Sequence, residues 1–359
     1  MARLDTFLRL VVEQQASDLH FHAGNPPIVR HDGDLIRLPF RSLSEAETRR
    51  FLLEIMTDEQ RKEWEESQDL DFIYVLEGAG RFRSNAFVQN HGPGGVFRVI
   101  PDRLPTVDEL MLPPQVRKLI RLNNGLVLVT GPTGAGKTTT LAAMVNEINL
   151  HQQRHVITIE DPVEFVHTPI NSVITQRQVG QHTESFAAAL RSALREAPDV
   201  LVVGEMRDLE TVQLALQAAE TGVLVFATLH TNNAPKSIDR IIDVIPETSR
   251  EQVRGVLSVL LRGVLAQHLC KRASGEGRIA AIEILSQNWA VSNMIRENKV
   301  YMLDAYLQSA VPEETGCQSL DRAILQYIRE GLVTLEDGLK VANYPEQIRE
   351  LASDFVGEE

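Results

Sequence analysis

Gly131, Pro132, Thr133, Gly134, Ala135, Gly136, Lys137 and Thr138, with Thr139 behind them, fit the pattern GxxxxGK[ST]. Glycines allow a backbone turn to approach phosphate closely, and the amides of such a loop, opening into a helix, point at phosphate oxygens. In that chemistry Lys137 reaches the β- and γ-phosphates and the Thr138 hydroxyl ligates Mg2+, so ATP and Mg2+ are the expected ligands. Hydrolysis also needs carboxylates, and apolar runs at 156–159, 200–203 and 223–229 end in candidates. The first leads into Glu160, Asp161, Pro162, Val163 and Glu164, the second into Gly204 and Glu205, the third into His230. Gly204 takes the place where a metal-holding Asp is common, so Glu205 is expected to hold the magnesium shell directly or through water. Glu164 would then orient or deprotonate the attacking water, Glu160 would line the nucleotide site, and His230 would contact the γ-phosphate. Arg81 and Arg83 flank Phe82 on a predicted strand. They share one face there, a paired cationic surface for phosphate charge across a domain or subunit boundary. His20 and His22 alternate with Leu19 and Phe21 and read as the exposed face of a strand rather than as metal ligands.

The elements that must position these residues fall into two textures. Residues 1–100 read as a small α+β domain. It opens with an amphipathic helix over 1–15, followed by a hairpin turning at Asp32-Gly33 and a helix capped by Ser44 and Glu47. Strands at 71–76, 81–89 and 96–100 follow, the last after a turn at 91–95. A proline-punctuated linker, 101–118, leads to an α/β domain over 119–288, where short buried strands at 126–130, 156–160, 200–203 and 223–228 alternate with helices. Thr248 and Glu251 predict a second capping box. The stripe Val253, Val256, Leu257, Leu260, Leu261, Val264 and Leu265 predicts a helix continuing behind it. Helices near 290–299, 319–330 and 334–342 make 289–359 a helical C-terminal region.

The chain of 359 residues carries 36 Lys and Arg against 49 Asp and Glu, a net charge of -13. With no long basic run, nucleic acid is not the expected partner. Two cysteines, Cys270 and Cys317, offer neither a disulfide framework nor a zinc site and fit a reducing, cytoplasmic setting. The first helix is too charged for an export signal, and the apolar stretch 253–269 is broken by Arg254, Arg262 and His268. Membrane contact is therefore expected to be peripheral.

Several stretches together resemble the secretion ATPase superfamily, and within it the type IV pilus retraction ATPase (PilT) family. They are Ala16-Ser-Asp-Leu-His20 with Ala23-Gly24, residues 80–87, the loop at 131–139, residues 159–165 (an Asp box), 203–211 (a Walker B region) and 227–231 (a His box). The resemblance implies a PAS-like N-terminal domain, a RecA-like ATPase domain and a homo-hexamer. The hexamer would power pilus retraction and twitching motility from the cytoplasmic side of the inner membrane, through a membrane-embedded platform protein. It further implies that Glu164 matches the Asp-box glutamate, Glu205 the Walker B acid, His230 the His-box histidine, and Arg81 and Arg83 the phosphate-sensing arginines. Where that family reads AIRNLIREGK, this chain differs at Val291, Ser292, Met294 and Asn298. An accessory retraction paralogue, or a nucleotide-gated regulator without strong turnover, stays open beside the motor.

Overall fold

A computed structural model describes residues 2–31, 34–100 and 103–353. The chain divides into two units, Met1–Arg103 and Leu104–Glu359. The first runs α1 (Leu4–Glu13), β1 (Asp18–His22), β2 (Ile28–His31), β3 (Asp34–Arg37), α2 (Glu45–Glu54), α3 (Asp58–Ser67), β4 (Asp69–Leu76), β5 (Gly80–Gln89) and β6 (Gly92–Ile100). Its strands form one antiparallel sheet in the order β3-β2-β1-β6-β5-β4. Strand alternation turns Leu19, Phe21, Phe82 and Phe97 inward, where they meet Leu4 and Leu8 of α1 and Trp64 of α3. The Ser44–Glu47 capping box forms. A second box, Thr57 with Gln60, opens α3, a helix the sequence reading does not include.

Two details of this unit differ from expectation. The turn before the last strand is only Asn90-His91, because β6 pairs from Gly92 onward. There Gly95 lets Leu52 and Phe97 close over the strand, and a Cβ would stand 2.9 Å from either side chain. His20 and His22 are half-buried rather than exposed, with His22 edge-on to Phe87 at 5.4 Å. Burial lowers the pKa of both. The hairpin turn expected at Asp32-Gly33 lies outside the described residues, as do the linker's residues 101–102.

The second unit continues with α4 (Pro114–Ile120), β7 (Gly125–Thr130), α5 (Lys137–His151), β8 (His155–Glu160), β9 (Val173–Gln178), α6 (Phe186–Ala193), β10 (Val200–Val203), α7 (Leu209–Glu220), β11 (Leu224–Leu229), α8 (Ala234–Asp243) and α9 (Arg250–Leu260). The hairpin β12 (Leu261–Lys271) and β13 (Arg278–Ser286) follows. The chain then ends in α10 (Trp289–Arg296), α11 (Leu303–Ser309), α12 (Pro312–Thr315), α13 (Leu320–Arg329), α14 (Leu335–Leu339) and α15 (Pro345–Ser353). The sheet order is β13-β12-β7-β11-β10-β8-β9, parallel except where β13 returns against β12. Every residue of β7, β10 and β11 is buried, as a parallel sheet covered on both faces requires. Alternate residues of β7 feed different cores: Leu126 and Leu128 join α6, α7 and α8. Val127 and Val129 join α4 and α5.

The helix expected to carry Leu261, Val264 and Leu265 instead ends at Leu260, and those residues belong to β12. A strand buried on both faces needs apolar residues at nearly every position, so it satisfies helical spacing as readily as a helix does. The capping box expected at Thr248 and Glu251 is absent. A 3-10 turn, Glu247–Ser249, leads into α9, whose N-cap Ser249 makes no side-chain cap bond.

Candidate nucleotide site

Strand β7 delivers the loop 131–136 and α5 carries it onward, so the loop is held between a fully buried strand and a helix N-terminus. Gly131 has φ +146°, and a Cβ there would meet the Gln267 carbonyl oxygen at 2.3 Å. The site therefore tolerates only glycine. Gln267 of β12 locks the loop from behind, donating to the Ala135 carbonyl at 2.5 Å and accepting from the Thr140 hydroxyl at 2.7 Å. Pro132, Thr133 and Gly134 are exposed on the outer side. Lys137 Nζ donates to the carbonyls of Gly131 at 2.8 Å and Pro132 at 3.1 Å. Burial lowers the Lys137 pKa, and the Glu205 carboxylate works against that.

His230, just past β11, joins the loop to the acid. Its Nδ1 lies 3.4 Å from Lys137 Nζ and its Nε2 3.3 Å from Glu205 Oε1. An ammonium cannot accept, so Nδ1 is the acceptor, and Nε2 carries the proton that it donates to Glu205. The other Glu205 oxygen pairs with Arg207 Nη2 at 2.6 Å. Burial pushes the Glu205 carboxyl up, but the hydrogen bond and charge of Arg207, with the hydrogen bond from His230, bring it below the usual range. Gly204 makes this strand end possible, since a Cβ there would stand 2.9 Å from the Ile159 carbonyl oxygen on neighbouring β8.

Thr138, Glu160, Glu164, Gly204, Glu205 and Arg207 line one cavity of about 100 Å³. Glu160 accepts from the Thr158 hydroxyl at 2.6 Å and from Gln176 Nε2 at 3.1 Å. Burial raises its pKa, with the Glu164 charge adding to the effect. Two glutamines of β9 staple the turn that presents Glu164. Gln176 also binds the Phe165 carbonyl at 2.8 Å and the His167 amide at 2.8 Å, and Gln178 accepts from the Val163 amide at 3.2 Å. The second unit thus assembles the loop 131–139, Glu160, Glu164, Glu205 and His230. Arg81 and Arg83 belong to the first unit, on β5, opposite Val75 and Ile73.

Sequence reasoning missed Gln267, Arg207, Gln176 and Gln178. Gln267 carries a usable signal, a polar residue inside an apolar run, but the helical spacing of that run masks it. Nothing in the pattern of 173–178 announced β9. Among the described residues no group of three or more His, Cys, Asp or Glu is placed to hold a metal. No helix there is long and apolar enough to cross a membrane.

Residues 2–340 match the Type II/IV secretion system protein family. The chain belongs to that family. It is 46% identical over 339 residues to the type IV pilus retraction ATPase PilT of Pseudomonas aeruginosa, covering 94% of this chain and 98% of that one. It is 39% identical over 345 residues to the type IV pilus ATPase PilU of the same organism, covering 96% and 90%. A crystal structure of the pilus retraction motor PilT with bound ADP superposes with a TM-score of 0.89 at 42% identity, covering 98% of this chain and all of that one. The fold is accordingly the α/β, RecA-like fold of the secretion ATPases, and the chain is an ATPase with a nucleotide as its ligand.

Proposed function

We propose that this protein is the ATP-hydrolysing hexameric motor of type IV pilus retraction, seated at the cytoplasmic face of the inner membrane and acting on a platform protein there. One observation carries the catalytic part of the reading: Thr138, Glu164 and Glu205 face a single cavity, and Lys137 and His230 are hydrogen-bonded into the same group. The donor set suits a magnesium nucleotide. Lys137 and the amides at the start of α5 supply positive charge for phosphate, and the Thr138 hydroxyl and Glu205 are the oxygens that would hold Mg2+. Such an ion keeps several waters and phosphate oxygens, so it needs no all-protein cage. When bound, it neutralises charge on the β- and γ-phosphates. Glu164, held by the β9 glutamines, orients and deprotonates the attacking water, while His230 reports the γ-phosphate to Glu205. Arg81 and Arg83 are the cations that would sense phosphate charge across a domain or subunit boundary, and their release with product is the link to motion.

The accessory-paralogue reading rests on the departures around α10. Val291 is buried in the core, and Met294 packs against it. Asn298 takes φ 58°, a conformation glycine and asparagine both accept. Only Ser292 changes the chemistry, and the 46% identity to PilT against 39% to PilU supports the motor over the helper.

Lys137→Ala or Glu205→Ala should abolish phosphate release while the protein stays folded. Deleting the gene should remove surface motility and leave excess surface pili. Wild-type phosphate release by either variant rejects the catalytic assignment, and normal piliation with normal motility rejects retraction.

A further inference from the structure

The hairpin β12–β13 touches both loops that face phosphate, one from each side of the sheet. Gln267 points to one face and holds the loop 131–136. The neighbouring residue, His268, points to the other, where its Nε2 lies 2.8 Å from the carbonyl of Asn232. Glu283 on β13 is paired with Ala266, so it shares the His268 face. Its Oε1 accepts from the amide of Ala234, the first residue of α8, at 2.8 Å. Residues 230–233, between β11 and α8, are therefore gripped at Asn232 by His268 and at their exit by Glu283. From within, the Thr231 hydroxyl bonds Ser237 at 2.7 Å, and Ser237 donates to Thr130, the last residue before Gly131, at 3.2 Å.

Glu283 is only 2% exposed. A carboxylate in such a place is costly, and an apolar residue would serve β13 better if packing were its only task. What it meets is a helix N-terminus, whose unpaired amide and dipole favour an anion. We propose that Glu283 and His268 are positioning residues that fix the loop bearing His230, so that its ring spans Lys137 and Glu205. Neither touches nucleotide. Their effect is on the placement of His230, so turnover should depend on them while nucleotide capture should not. The inference rests on the reading of His230 as a participant in hydrolysis.

The test uses the full-length protein and three measurements: steady-state phosphate release, the KM for magnesium-ATP, and binding of a fluorescent ADP analogue. Glu283→Ala and His268→Ala should each lower kcat about 10-fold or more, because small misplacement of a catalytic group is costly. KM and analogue affinity should be unchanged. Glu283→Gln, which keeps an oxygen acceptor for Ala234, should restore most of the lost kcat. His230→Ala, run alongside, should lose at least as much kcat as either.

If His230→Ala is impaired and both alanine variants turn over like wild type, the positioning role is overturned while the reading of His230 stands. If His230→Ala itself turns over normally, that reading falls and takes this inference with it. Should Glu283→Ala not fold, Glu283→Gln and His268→Ala decide. Loss of analogue binding in parallel with kcat in His268→Ala would mean a structural role only, and the proposal fails.

Discussion

A side chain at position 204 would have to displace the end of β8, because its first carbon stands 2.9 Å from the Ile159 carbonyl oxygen and 3.3 Å from the Glu160 Cα. Both neighbours are backbone, which yields less readily than a side chain. Gly204→Ala should therefore cost about 1–3 kcal/mol, as overpacking does. It should also shift Glu205 away from His230 and Arg207, so phosphate release falls with it. Urea unfolding and a turnover assay on one preparation check both, and wild-type stability would show slack the geometry denies. Glu283 makes the opposite case, a residue that weakens the fold. Burial, with Asp304 and Asp321 adding, pushes its carboxyl from 4.5 up to about 7. The folded protein therefore binds this proton more tightly than the unfolded chain, and stability declines as pH rises from 4.5 through about 7. That interval, at about 1.4 kcal/mol per pH unit, makes the charged form cost roughly 3 kcal/mol above pH 7. Glu283→Gln should accordingly unfold at higher urea than wild type at pH 8, the gap closing steadily toward pH 4.5. A gap constant with pH would mean the carboxyl titrates normally.

At the scale of elements, the hairpin β12–β13 bears on the phosphate loop through Gln267, whose two bonds are both buried. Gln267→Leu keeps the volume and removes both partners, leaving the Thr140 hydroxyl and the Ala135 carbonyl unsatisfied at about 1–3 kcal/mol each. The expected result is a lower midpoint in urea together with weaker binding of a fluorescent ADP analogue. Retained affinity would show that the loop holds its shape from β7 and α5 alone. This hairpin is also where the sequence was least legible. Leu257, Leu260, Leu261, Val264 and Leu265 satisfy helical spacing, and only the strand's burial on both faces, a property of the assembled sheet, decides otherwise. Strand β9 was hidden for a related reason. As an edge strand with only half-buried or exposed residues, it lacks the apolar signature of β7, β10 and β11. By contrast, the loop 131–139 and the strand-end acids were readable. Their residue types are imposed by local chemistry: glycine where a Cβ meets the Gln267 carbonyl, and acids at the carboxyl ends of buried parallel strands. What sequence could not supply was the supporting set of Gln176, Gln178, Gln267 and Arg207, since each acts on a partner brought near only by folding.

At the scale of the whole molecule, the cores respect the boundary between the two units. Leu19, Phe21, Trp64, Phe82 and Phe97 pack among residues of the first unit. The clusters around β7, α5 and α13 draw only on the second. Each unit therefore buries its own apolar surface, the condition for folding alone. The loop 131–139, Glu164, Glu205 and His230 all lie in the second unit, whereas Arg81 and Arg83 lie in the first. A fragment spanning 104–359 should accordingly fold and bind a fluorescent ADP analogue with near full-length affinity. Its turnover should be lower by about 1,000-fold, the scale on which a phosphate-facing arginine acts in phosphoryl transfer. Arg81→Ala with Arg83→Ala in the full-length chain should reproduce that loss. The corresponding lysine pair should recover only part of it, because a point charge replaces a planar fork. Full-length turnover by the fragment, or by the double alanine variant, would confine catalysis to the second unit and leave the arginines with no part in it.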